Sequence, residues 1–172
     1  MQARLFFALW PDTALRASLH QHALSLKQQC GGRATRAGKL HMTLAFLGDV
    51  ARARLPELVA LARDCRGDAF ELCLDKTGCW SRQHIVWMAP QRVPAALARL
   101  VAALEAALRS HDFRLEDRAW RPHVTLLRDA QAPRDAAQPA LQWAVRDFVL
   151  VESLRGEYRL LDRWPLGGVP PG

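Results

Sequence analysis

Apolar residues along this chain fall into two spacings that take turns. Residues 4–10, RLFFALW, form an apolar, aromatic-rich run after Arg4 that is closed by Pro11-Asp12, the mark of a buried strand. From Thr13 to about Gln29, Leu15, Leu19, Ala23 and Leu26 recur at helical intervals, and Gly31-Gly32 stop the helix. After a basic stretch, residues 40–48, LHMTLAFLG, alternate as a strand ending at Gly48-Asp49. Leu55, Leu58, Val59, Leu61 and Ala62 predict a second amphipathic helix over 53–66. Residues 70–80 set Phe70, Leu72 and Leu74 against Glu71, Cys73 and Asp75, the period of a strand.

Then the plan restarts. HIVWMAP is again a strand closed by proline, and residues 93–110 carry the clearest helical pattern in the chain. RPHVTLLRD reads as a strand, and WAVRDFVLVES and GEYRLLDRWPL as a hairpin turning near Gly156-Glu157. Pro11 and Pro90 are 79 positions apart, His41 and His123 are 82 apart, and the strand at Phe70 has a counterpart starting near Val145, 75 further on. Three features in one order at similar offsets indicate an internal β-α-β duplication, with halves at about 1–80 and 81–172. The expected architecture is α+β: a single domain of two pseudo-symmetric lobes, antiparallel sheets lining a central cleft, and helices outside. A pseudo-twofold axis between such halves brings equivalent strands together at the centre.

Composition narrows the class. A chain of 172 residues suits one compact domain, and no apolar run approaches the roughly 20 residues of a membrane-spanning helix. The N-terminus reads as a first strand rather than a signal peptide. The formal net charge is +7 and the cations are nearly all arginine, whose planar fork suits phosphate. A GC-rich coding sequence explains arginine and alanine richness equally well, so charge alone decides little. Cys30, Cys65, Cys73 and Cys79 show neither C-x-x-C spacing nor a histidine at a ligand-like offset. They read as reduced thiols of a cytoplasmic protein, with a monomer as the default.

One tetrapeptide recurs at matching places in the two halves: HMTL at 41–44 and HVTL at 123–126. On a strand, residues i and i+2 share a face. His41 and Thr43 therefore point together, as do His123 and Thr125, while Met42, Leu44, Val124 and Leu126 point into packing. Placed face to face, the copies supply two imidazoles and two hydroxyls. A neutral imidazole takes a proton from water, a protonated one gives a proton to a leaving alkoxide, and threonine hydroxyls hold non-bridging phosphoryl oxygens. That set suits the opening of a cyclic phosphodiester. A single His-x-Thr is more simply a packed strand segment; two at matching positions favour chemistry. No carboxylate or third histidine lies near either copy, so a metal site is disfavoured.

With these motifs the chain resembles the bacterial RNA 2′,3′-cyclic phosphodiesterases, also called 2′-5′ RNA ligases (the LigT or ThpR family), of the 2H phosphoesterase superfamily. The resemblance runs nearly end to end, through RLFFALWPD, KLHMTLAFLGDV, IVWMAP, WRPHVTLLRDA and GEYRLLDRWPL. It implies hydrolysis of 2′,3′-cyclic RNA ends to 2′-phosphates without metal or nucleotide cofactor, with reversible 2′-5′ ligation of tRNA halves in some members. It also implies His41 as proton donor, His123 as proton acceptor, Thr43 and Thr125 as phosphate holders, a phosphate-contacting Arg128 and a base-stacking Phe46. The sequence itself does not say which histidine takes which role. Phe46 and Arg128 each lie five residues beyond a motif histidine, on the opposite face of an ideal strand. They reach the cleft only where the strand bulges or ends; packing and a solvated rim are the competing readings.

Other residues are weaker candidates. Trp120 is a possible base platform or a core residue. Arg33, Arg36 and Lys39 are either a flexible RNA-steering stretch or a solvated loop. His20, His22, His84 and His111 read as surface residues. The pattern also fits two other functions: a phosphodiesterase of the same superfamily acting on 2′-5′ oligonucleotides or small cyclic nucleotides, and a non-catalytic RNA-binding module.

Overall fold

The computed structural model describes residues 1–134 and 138–167, and among them the chain forms ten strands and three α-helices. The first lobe runs β1 (Gln2–Leu9), α1 (Thr13–Cys30), the short β2 (Arg33–Ala34), β3 (Met42–Ala51), α2 (Leu55–Asp64) and β4 (Phe70–Leu74). The second runs β5 (Lys76–Trp80), β6 (Ile85–Ala89), α3 (Ala95–Ser110), β7 (Val124–Arg128) and β8 (Leu141–Val145), followed by the hairpin β9 (Asp147–Leu154) and β10 (Glu157–Pro165).

One antiparallel sheet passes through both lobes in the order β10-β9-β1-β3-β7-β6-β5, where separate sheets were expected. It crosses the lobe boundary at β3 and β7, which pair only through Met42 and Val124 before they diverge. The edge of β7 that β3 leaves is taken by β2, with Arg33 opposite Arg128 and Ala34 opposite Leu127. Equivalent strands therefore do meet at the centre: β3 beside β7, flanked by β1 and β6. A second equivalent pair, β4 and β8, forms its own two-stranded ribbon with Phe70 opposite Val145. The counterpart of β4 begins at Leu141, not near Val145.

Two stretches read as single strands are each two strands in different sheets. Residues 70–80 break at Asp75, whose N–H donates to the Ala89 carbonyl while its carboxylate accepts from the Gln91 N–H at 2.8 Å. Residues 141–154 break at Arg146, whose carbonyl accepts from the Leu166 N–H. Apolar alternation continues through both corners because each strand still buries one face; periodicity cannot see a change of sheet. Gly48 does not end β3 as expected. It adopts φ +66° where the β1 register shifts, so the strand bulges there and runs on to Ala51.

The helices pack on the sheet face away from the cleft. α1 buries Leu15, Leu19, Ala23 and Leu26, and α3 buries Leu97, Leu100, Val101, Leu104 and Leu108. They close over Leu5, Phe7, Leu9, Met42, Leu44, Val86, Met88, Val124 and Leu126 in one core. Each such leucine contributes on the order of 1.5–3 kcal/mol by leaving water. The core thus grips the residues between the motif histidines and threonines, and that grip aims the motif side chains outward. Asp12 caps α1, its carboxylate accepting from the Leu15 N–H at 2.8 Å. Asp12→Ala is expected to cost about 1 kcal/mol, read as a lower midpoint in urea denaturation with an unchanged slope.

Candidate active site

Both motif histidines sit one residue ahead of their strands, with the Met42–Val124 pair between them. Antiparallel register through that pair sets His41 beside Thr125 and Thr43 beside His123, so the imidazoles lie on one diagonal and the hydroxyls on the other. The intervening residues are shut in the core, with Met42 and Val124 0% exposed and Leu44 1%, while the four motif side chains are half-buried.

Phe46 and Arg128 are brought to this face by matching bulges. Against β1, Ala8 faces Thr43 but Phe7 faces Ala45, so Leu44 is an extra residue. Against β6, Trp87 faces Thr125 but Val86 faces Leu127, so Leu126 is extra. Each bulge reverses the parity of the positions after it, and an odd offset from the histidine becomes a cleft position. Phe46 packs with the small apolar cluster of Phe6, Ala8, Val149 and Val151, beneath the Arg4 guanidinium at 4.9 Å from the ring centroid. Arg128 is exposed, and its charge depresses the protonation of both histidines.

The two imidazoles are held in the same way. His41 Nδ1–H donates to the Lys39 carbonyl at 2.6 Å, and His123 Nδ1–H donates to the Arg121 carbonyl at 2.8 Å, each two residues upstream. A carbonyl only accepts, so the proton of each neutral ring is fixed on Nδ1 and Nε2 keeps its lone pair for a ligand. Burial is the main force on both pKa values, and it lowers them. His41 falls to about 4, its backbone bond opposing and the charges of His123 and Arg128 adding to the drop. His123 is lowered by burial and then by Arg118 and Arg128, again against its backbone bond. An NMR titration of the free protein is therefore expected to place the His41 midpoint well below the ordinary ~6.5; a midpoint at the ordinary value would contradict the burial.

Four aromatic residues at this site were missed in the sequence. Trp10 stacks on His41 with centroids 5.5 Å apart and planes at 16°. Tyr158 meets the same ring edge-on at 5.3 Å, and Phe6 lies 5.0 Å away. On the other lobe Trp80 meets His123 edge-on at 4.5 Å. Part of their signal was present: Trp10 directly follows β1, which borders the first motif strand, and Trp80 ends β5, one strand removed from the second. Tyr158 comes from the hairpin after the duplicated part, and no local pattern links it to His41.

The basic stretch before the first motif is not free. Arg33 pairs with Asp129 at 2.6 Å, and Arg36 and Lys39 both engage Glu157 at the β9–β10 turn. Such pairs contribute little stability each, but they spend the charges on protein partners. Trp120 is half-buried against the core and donates its indole N–H to the Thr43 carbonyl at 3.0 Å, bracing the motif. His20 and His22 are half-buried rather than exposed: His20 Nδ1 bonds the Thr35 carbonyl at 3.0 Å, and His22 Nε2 lies 3.2 Å from the Thr77 hydroxyl. Among the described residues, no three His, Cys, Asp or Glu side chains gather as a metal site.

Known proteins match this fold and sequence along nearly the whole chain. The model of the 2′-5′ RNA ligase superfamily matches residues 11–157. The RNA 2′,3′-cyclic phosphodiesterase of Escherichia coli is 37% identical over 171 residues, covering 95% of this chain and 96% of that protein. The protein of the same name from Thermus thermophilus is 31% identical, covering 96% of this chain and 91% of its own length. The crystal structure of E. coli LigT complexed with 3′-AMP superposes with a TM-score of 0.86 at 32% identity, covering 98% of this chain and all of that one.

Proposed function

The chain belongs to the 2′-5′ RNA ligase superfamily, and on that premise we propose that it is an RNA 2′,3′-cyclic phosphodiesterase working through His41 and His123. The observation that carries the mechanism is the matched pair of imidazoles, each pinned through Nδ1 to a carbonyl two residues upstream and each offering Nε2 to one cleft. A cyclic phosphate seated between them meets a base on one side and an acid on the other.

His123 Nε2 takes a proton from a water molecule as its oxygen attacks phosphorus. The bond from phosphorus to O3′ breaks, and His41 Nε2–H protonates the leaving O3′, so the product carries a 2′-phosphate and a 3′-hydroxyl. Thr43 and Thr125 donate to the non-bridging oxygens, and Arg128 balances the charge that grows there. The donor and acceptor labels follow the family resemblance. In the free protein burial lowers the pKa of both rings, that of His41 to about 4. The negative phosphate reverses this, because an anion beside a ring favours its protonated form. His41 becomes an acid when the substrate arrives.

A 5′-hydroxyl in the place of water makes the same exchange a 2′-5′ ligation, with the same O3′ leaving. The substrates are cyclic-ended RNA, tRNA halves among them, with small cyclic nucleotides as the second reading. The lobes act as one domain and as a monomer, with the halves divided near Asp75 rather than at 80, because β5 pairs with β6 of the second half. No helix among the described residues is long and apolar enough to cross a membrane. Four unbonded cysteines suit a reducing cytoplasm.

The test is incubation of an RNA ending in 2′,3′-cyclic phosphate with EDTA present throughout. Conversion to a 2′-phosphate is expected. A 3′-phosphate product, or turnover only with added metal, would overturn the reading.

A further inference from the structure

The acid–base machinery is symmetric about the β3–β7 pair, yet an RNA end has a direction. Residues that break the symmetry must tell the enzyme on which side the rest of the strand lies. The largest break on the cleft face is at Trp87. It occupies in β6 the place that Ala8 occupies in β1, since each faces the threonine of its own motif strand. The neighbours are exchanged as well. Ala8 sits beside Val149, whereas Trp87 sits beside Gly78. A Cβ on Gly78 would stand 2.4 Å from the Trp87 ring, so the missing side chain is what lets the indole lie down on β5.

Trp87 belongs to a row. His123 meets Trp80 with centroids 4.5 Å apart, Trp80 meets Trp87 at 5.7 Å, and the Lys76 ammonium stands 6.0 Å from the Trp87 centroid. The row starts at a catalytic imidazole, crosses two half-buried indoles and ends on an exposed cation. Around His41 the aromatic residues instead close on the ring itself: Trp10, Phe6 and Tyr158 all touch it. Lys39 there is already engaged with Glu157 and the Gly156 carbonyl. One side of the cleft is sealed and the other leads outward.

We propose that Trp80, Trp87 and Lys76 form a subsite for the nucleotide immediately 5′ of the cyclic end, stacking its base on the indoles and meeting its phosphodiester with the ammonium. Indoles followed by a cation are what single-stranded nucleic acid needs: a π-face that accepts any base, and one positive charge per phosphate. The subsite makes the enzyme prefer an RNA end to a free cyclic nucleotide, while remaining tolerant of base identity. This inference rests on the reading of the protein as a cyclic phosphodiesterase.

The test compares kcat/KM for the dinucleotide ApA ending in 2′,3′-cyclic phosphate with that for adenosine 2′,3′-cyclic phosphate, in the native protein, Trp87→Leu and Lys76→Ala. The native protein is expected to favour the dinucleotide by about tenfold, the scale of one stacked base. Trp87→Leu is expected to bring that ratio close to one. Lys76→Ala, at an exposed position, is expected to lower the ratio several-fold and to flatten the salt dependence of dinucleotide turnover. A ratio near one in the native protein, or the same ratio in all three proteins, overturns the subsite. Equal losses on both substrates in Trp87→Leu also overturn it, because the indole then serves only the reacting end. Failure of the native protein to hydrolyse either substrate would instead overturn the phosphodiesterase reading.

Discussion

Alanine at His123 is expected to lower kcat on cyclic-ended RNA by about 10²–10⁴, the contribution of one positioned general acid or base. His41→Ala is expected to fall in the same range. The double variant should lose little more than the worse single one, since a proton relay fails as a unit once either end is gone. The two losses differ in their structural risk. His41 is packed among Phe6, Trp10 and Tyr158, so alanine also leaves a gap in that cluster. His41→Gln fills most of the space without an acid of suitable pKa. It should retain the native thermal transition and still lose the activity. A single variant at either histidine within tenfold of the native kcat would mean the imidazoles do not work as a pair.

Thr43→Val and Thr125→Val are each expected to lower kcat by about 10², the scale of one lost donor to a growing oxyanion. The change is close to isosteric, and the core neighbours Met42, Leu44, Val124 and Leu126 are untouched. Stability should therefore move little. Because the hydroxyls work hardest on the charged transition state, kcat and kcat/KM should fall together while KM holds. Thr→Ser at either site should recover much of the loss. If the valine variants instead raise KM alone, the hydroxyls bind the ground state and Arg128 carries the charge development.

The sequence carried the chemistry better than it carried the geometry that exposes it. His41, Thr43, His123 and Thr125 were legible because a duplicated motif on a period-two pattern fixes which side chains share a face. The same period misplaced Phe46 and Arg128, since an extra residue at Leu44 and at Leu126 reverses the parity after each motif. A bulge is decided by how a strand sits against its neighbour, and the neighbour lies more than thirty positions away. The corners at Asp75 and Arg146 were hidden for a related reason: apolar alternation survives a change of sheet. Tyr158 reaches His41 only because the β9–β10 hairpin returns beside β1, and Arg36 and Lys39 meet Glu157 by the same return. Contacts across more than a hundred residues leave no local trace.

The most direct test of paired acid–base catalysis is the pH dependence of kcat/KM for the native protein and each histidine-to-alanine variant. One ring must be neutral and the other protonated, so the native profile should be bell-shaped. Both free-enzyme pKa values lie below the ordinary histidine value, so the optimum should fall on the acid side of ~6.5. Raising the pH above it removes the donor's proton, and lowering the pH below it protonates the base. Each variant should keep one limb and lose the other, His123→Ala the acidic limb and His41→Ala the alkaline one. A bell that survives in both variants would place the acid and the base on other groups and contradict the two-histidine mechanism.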